Sequence, residues 1–171
     1  MKAIQPKRYV PRTTDSKAVA PVPNLLKDIP PEDCAARKII IGDITYIGLQ
    51  NGSWCYLAVW QDKVTRRIIG WSLQDSMTAE LVISALQKAI KSGMIQAGAI
   101  IHSDRGSQYA ANGFREVLQQ SGLRQSMSGR GNCYDNAQAE SFFSRFKTEL
   151  IEGGAFENIE EARSEIFTYI E

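Results

Sequence analysis

No proline follows Pro31 in this chain of 171 residues. The six that exist, Pro6, Pro11, Pro21, Pro23, Pro30 and Pro31, crowd the N-terminal part. Residues 1–36 are therefore expected to form an extended or irregular basic linker or tail, with a packed domain over 37–171. Histidine is almost absent, His102 being the single example, and the cysteines Cys34, Cys55 and Cys133 are odd in number and lack CxxC spacing. Zinc sites and disulfide scaffolds are both disfavoured, and a reduced, cytoplasmic protein is expected. There is no apolar run of membrane-spanning length, and the segment from Met1 to Pro6 lacks the apolar core of a signal peptide. Strong net charge is missing too: the sum is +1. That near-neutrality hides an uneven distribution. Lys and Arg outnumber acids over residues 1–38 and 124–147, whereas from Glu149 onward there are seven Glu and only Arg163. The acidic end reads as a solvated helix face, and the basic stretches remain open to an anionic partner.

What is present is one domain's worth of alternating elements. With 43% hydrophobic residues the chain can bury a real core. Strands are expected near 38–47, 54–62 and 66–74, the first two joined by a hairpin turn at 50–53. A helix over 78–92 carries the apolar stripe Leu81, Val82, Ala85, Leu86 and Ala89 and ends at Gly93. A strand ending before Asp104, a helix over 111–121, a short strand over 123–127, a helix running from Asp135 or Asn136 to Leu150, and a last helix over 158–170 complete an α/β chain.

Three acids stand out. Asp43 interrupts the run Ile39-Ile40-Ile41-Gly42-Asp43-Ile44-Thr45-Tyr46-Ile47, whose β-branched content marks a buried strand. A carboxylate there must be protonated, paired with a base or bound to a cation, because burying a lone anion costs several kcal/mol. Asp104 closes the apolar run before His102-Ser103-Asp104-Arg105-Gly106, at a strand end, where open α/β sheets place their sites. Thirty-five residues separate it from Glu140. In the helix bearing Glu140, the residues Ala139, Phe142, Phe143, Phe146 and Leu150 share one face, while Glu140, Ser144 and Lys147 form the neighbouring stripe. Taken singly, Glu140 reads more readily as a solvated glutamate, and Asp104 is balanced between a turn-forming residue and a ligand. Their joint spacing and local sequences carry the information.

Those local sequences resemble the catalytic core of a bacterial insertion-sequence transposase of the IS-three type, related to retroviral integrases. The matching motifs are Asp43-Ile44-Thr45-Tyr46-Ile47, Tyr56-Leu57-Ala58-Val59 through Asp62, Arg66-Arg67-Ile68-Ile69-Gly70-Trp71 and His102-Ser103-Asp104-Arg105-Gly106-Ser107-Gln108-Tyr109. They continue with Ser126-Met127-Ser128, Gly131-Asn132-Cys133-Tyr134-Asp135-Asn136-Ala137, Glu140-Ser141-Phe142-Phe143 and Lys147. The resemblance implies a ribonuclease H-like fold, a mixed five-stranded sheet with helices on both faces. It implies DNA transposition by a metal-dependent polynucleotidyl transferase, with Asp43, Asp104 and Glu140 as catalytic residues and ligands of two Mg²⁺ or Mn²⁺ ions. Water would open the element's end, and the exposed 3′-hydroxyl would then attack target DNA. Partners implied are DNA and a second copy of the chain, with no membrane. Two alternatives stay open: a non-catalytic remnant that binds DNA or dimerises, and a nuclease of the same fold.

Further candidates rank below the acids. Lys147 matches a family position near the cut, and Arg130, Asn132 and Asn136 lie in or beside a Gly-rich loop suited to phosphate contacts. His102 is a candidate for water or phosphate, or else a hydrogen-bonded strand-end histidine. Asp62 belongs to a motif without being expected to bind metal, and Trp54, Trp60 and Trp71 read as core. Two departures from the family pattern are visible. Gly42 precedes Asp43 where a bulkier residue is usual, with an expected loosening of the first ligand. The chain also stops at Glu171, where relatives continue, so the C-terminal end of the family domain is expected to be missing.

Overall fold

A computed structural model describes residues 22–30, 33–129, 137–151 and 154–171. Five strands form one sheet: β1 (Ile39–Gly48), β2 (Trp54–Asp62), β3 (Ile68–Gln74), β4 (Ile100–Ser103) and β5 (Arg124–Met127). Their order is β3-β2-β1-β4-β5. The first three make an antiparallel meander, whereas β4 pairs parallel with β1 and β5 parallel with β4. The helices are α1 (Ala79–Lys91), α2 (Ser107–Ala110), α3 (Asn112–Gln120), α4 (Ala137–Phe146) and α5 (Ile159–Ile170). The mixed sheet and the order of its elements match expectation; the single turn α2 and a π-helical turn over Lys147–Ile151 were not foreseen.

Side-chain alternation along the strands divides the core in two. On one face Ile40, Ile44, Ala58 and Trp60 meet Leu81, Val82, Ala85, Leu86 and Ala89 of α1, with Phe114 and Leu118 of α3. On the other, Ile47, Leu57, Val59 and Leu73 meet Phe143 and Phe146 of α4 and Ala162 and Ile166 of α5. Both faces are thus covered, which accounts for the nearly unbroken apolar reading of β1 and β2. Asp43 is in phase with Ile47, and so points to the α4 face.

The N-terminal boundary lies earlier than the proline pattern suggests. A 3-10 turn over Leu25–Asp28 is capped by Asn24, whose Oδ1 accepts the Leu26 N–H at 3.0 Å. Leu25 N donates to Ser126 Oγ at 2.9 Å, and Met127 N donates to the Pro23 carbonyl at 3.3 Å. Strand β5 would otherwise present a bare edge, and this segment covers it. Downstream, Asp62 is buried: Oδ1 accepts from Val64 N and Thr65 N, fixing the β2–β3 turn, and Oδ2 accepts from Arg37 N, tying that turn to the segment before β1.

Candidate active site

The parallel β1–β4 ladder pairs Ile39 with Ile100, Ile40 with Ile101 and Ile41 with His102. Asp104 follows just past the end of β4, close enough for its charge to act on Asp43. Each carboxylate is held by the backbone beside it. Asp43 Oδ1 accepts the Ile44 N–H at 2.8 Å, and Asp104 Oδ1 accepts the Gly106 N–H at 2.9 Å. A Cβ at Gly106 would lie 2.7 Å from Gln108 Oε1 and 3.1 Å from Asp104 Oδ1, so a larger residue there would displace these side-chain ends. Arg105 Nε donates to the Ser128 carbonyl at 3.0 Å and ties the loop to the end of β5.

The third carboxylate arrives from α4. The helix buries Ala139, Phe143 and Phe146 and leaves Glu140 exposed in its first turn. The acids report on one another electrostatically. Burial pushes the Asp43 carboxyl up to about 7, the Ile44 N–H opposes that rise, Asp104 and Glu140 add to it, and Lys147 draws it back. Charges from the end of β4 and from α4 therefore act on Asp43, midway along β1. Among the described residues no three His, Cys, Asp or Glu side chains are gathered tightly enough to grip an ion as they stand. Glu140 lies out toward solvent, as mutual repulsion among carboxylates favours.

Lys147 begins the π-helical turn instead of continuing the α-helix. Such wide turns recur at functional sites. Its Nζ stands 4.5 Å from the Tyr46 ring centroid, and burial lowers its pKa while Asp43 raises it. His102 takes the structural alternative. It is 0% exposed, so direct contact with DNA is closed to it, and its Nδ1 lies 2.8 Å from Ser126 Oγ. Because Ser126 also receives the Leu25 N–H, the Ser126→Ala variant should lose about 1–3 kcal/mol of stability in urea denaturation. Arg130, Asn132 and Asn136 lie outside the described residues.

Gly42 does not loosen the site. It faces Trp60 across the β1–β2 ladder, and a Cβ on it would fall 2.2 Å from the indole. Trp60 fills the space that a larger residue would take and donates its Nε1–H to the Val82 carbonyl at 3.2 Å. The ring stacks on Phe114 with centroids 5.8 Å apart and meets the edge of Tyr109 at 5.8 Å. Tyr109 is buried, and its hydroxyl pKa is raised well above the usual value by that burial and by the charges of Asp104 and Asp43. Sequence reasoning did not single out Tyr109; the only available signal was its place five residues after Asp104. The tryptophans also divide: Trp60 and Trp71 are buried as expected, whereas Trp54 is half-buried at the start of β2.

Comparison with known proteins fits this geometry. Two models described as integrase core domain match residues 35–133 and 121–171. The chain is 44% identical over 166 residues to the "Insertion element IS600 uncharacterized 31 kDa protein" of Shigella sonnei, covering 96% of this chain and 60% of that protein. It is 45% identical over 130 residues to "Transposase InsF for insertion sequence IS3A" of Escherichia coli strain K12, covering 76% and 45% respectively. The chain thus spans about half the length of the curated relatives it matches. Among solved structures, a chain of the simian T-cell lymphotropic virus intasome in complex with PP2A regulatory subunit B56 gamma aligns over 83% of this chain and 46% of that one, with a TM-score of 0.61 at 20% identity. The Mos1 transposase catalytic domain aligns over 78% and 71%, also at 0.61, with 17% identity. These likenesses establish the ribonuclease H-like fold. On the family match and the shared fold, the chain belongs to the integrase core domain family, alongside transposases of the IS3 type.

Proposed function

We propose that the chain is the DNA-cutting and strand-joining core of an IS3-type transposase, with Asp43, Asp104 and Glu140 as the catalytic carboxylates and the ligands of two Mg²⁺ or Mn²⁺ ions. The observation that carries this reading is that Asp43, buried midway along β1, is lifted to about 7 by burial and by the charges of Asp104 and Glu140. A site of this kind is adapted to positive charge. Its donors are all carboxylate oxygens, which suit Mg²⁺ and Mn²⁺ and not zinc or copper. When bound, a pair of such ions would activate water and stabilise the attacking and leaving oxygens of an in-line displacement at phosphorus. The HTLV-2 integrase catalytic core and the Mos1 catalytic domain have each been solved with magnesium, which supports the same chemistry here.

The chain's own residues supply positioning. The β1 ladder and the Ile44 N–H fix one oxygen of Asp43 and leave the other to the site. The Gly106 N–H likewise holds one oxygen of Asp104. Lys147, half-buried near Asp43, is placed to hold a phosphate of the bound strand, and Arg130, Asn132 and Asn136 are proposed as further DNA contacts. A homodimer acting on element ends and target DNA in the bacterial cytoplasm completes the reading. It is tested by incubating a labelled branched DNA with the chain and with its Asp104→Asn variant in Mg²⁺ or Mn²⁺. Strand cutting or joining by the parent alone is expected. Equal activity of the two proteins would exclude this site, and inactivity of both would favour a DNA-binding remnant.

A further inference from the structure

Beyond Asp43 the strand β1 continues to Tyr46 and Gly48, past the end of its pairing with β4 at Ile41, and among the described residues no strand pairs with this stretch on the β4 side. A cleft opens along this stretch. It has a volume of about 440 Å³ and is lined by Tyr46, Gly48, Trp54, Lys147, Gly154 and Ala155 among others. Its chemistry is aromatic and cationic together. The rings of Tyr46 and Trp54 meet edge to face with centroids 5.1 Å apart and planes at 81°. Lys147 Nζ stands over the Tyr46 ring at 4.5 Å. Both aromatic side chains are half-buried, so each keeps surface toward the cleft. Gly48 leaves room at the base of the Trp54 ring: a Cβ on it would touch the indole at 3.4 Å.

We propose that this cleft seats an unstacked nucleobase of the DNA strand that is being cut, stacked on the Tyr46–Trp54 pair with its phosphate at Lys147. The proposal rests on the reading of the carboxylate site as a DNA-cutting centre and adds to it the form of DNA that it takes. Aromatic faces beside a cation are how proteins hold single-stranded nucleic acid without reading its sequence. Tyr46 is three residues along an extended strand from Asp43, about 10 Å, and leaves β1 on its other face; Lys147, which stands over the Tyr46 ring and interacts with Asp43, links the two at the strand's edge. Intact duplex keeps its bases paired and stacked, and offers the cleft only phosphate. The site therefore favours DNA already splayed near the scissile bond.

Two measurements test this, both in EDTA so that neither depends on catalysis. In the first, a single-stranded oligothymidylate carrying one 5-iodouracil is bound to the unaltered chain, irradiated, and the adduct mapped by mass spectrometry. Adducts at Tyr46 or Trp54 are expected; adducts confined to other residues overturn the proposal. In the second, affinity for oligothymidylate and for duplex DNA is compared across variants. Trp54→Ala should bind single strands about tenfold more weakly with little change for duplex, and Trp54→Phe should regain most of the loss. Unchanged single-strand affinity in a folded Trp54→Ala protein overturns the proposal. Failure of the catalytic reading would instead appear as a parent chain that cuts no DNA in Mg²⁺ or Mn²⁺ while these binding results stand.

Discussion

The Asp43→Asn variant is expected to lose metal-dependent DNA cutting by roughly 10³-fold or more, while melting at a higher temperature than the parent in EDTA at pH 8. The two effects share a cause. In the folded chain the Asp43 carboxyl titrates at about 7 against an ordinary value of 3.8, chiefly because burial disfavours its anion. Below about pH 4 the group is protonated whether or not the chain is folded, and folding is not penalised. Between about pH 4 and 7 the unfolded chain has released a proton that the folded chain keeps, so stability falls as the pH rises. Above 7 the loss is complete and amounts to a few kcal/mol, at about 1.4 kcal/mol for each unit of displacement. Asn retains an oxygen to accept the Ile44 N–H and carries no charge. Melting curves at pH 5 and pH 8 should therefore converge in the variant and stay apart in the parent. Identical pH dependence in both proteins would show that Asp43 is not held against a desolvation penalty.

The Gly42→Ala variant should be less stable by about 3 kcal/mol or more, at the upper end of what overpacking a tight core costs. The added methyl would stand 2.2 Å from the Trp60 ring. The indole has nowhere to go. Trp60 is 1% exposed, stacked on Phe114, edged by Tyr109 and hydrogen-bonded to the Val82 carbonyl of α1. Relief requires β1 to shift at the residue next to Asp43, so cutting should suffer as well. In urea denaturation the double variant with Trp60→Leu should recover part of the loss, giving a coupling well outside additivity. A Gly42→Ala protein within about 0.5 kcal/mol of the parent would contradict this packing.

Much of the architecture was legible because strong local patterns and long-range order agree here. The Ile-rich run around Asp43, the apolar stripe of α1 and the aromatic face of α4 each bury the side that their period assigns. The acids drew attention for a different reason: a carboxylate inside an apolar strand demands a partner, and the motifs around it suggested a metal. What escaped depends on contacts across the chain. That Gly42 answers to Trp60 is a statement about β1–β2 register, which no local window contains. The docking of Val22 to Pro30 on β5 was hidden by prolines that read as linker punctuation, and the burial of His102 depends on Ser126, twenty-four residues away. The π-helical turn at Lys147 is invisible to a periodicity that continues to Leu150. Trp54 was grouped with the core tryptophans by residue type alone, and only the cleft beside Tyr46 distinguishes it.

The most direct measurement is Mn²⁺ binding by electron paramagnetic resonance, comparing the parent chain with a variant in which Asp43→Asn, Asp104→Asn and Glu140→Gln are combined. The parent should take up Mn²⁺ at the carboxylate site, a second ion entering most readily when DNA phosphate is present, and the triple variant should lose that uptake. Equal Mn²⁺ binding by the two proteins would contradict the assignment of these three carboxylates to a metal-dependent DNA-cutting site.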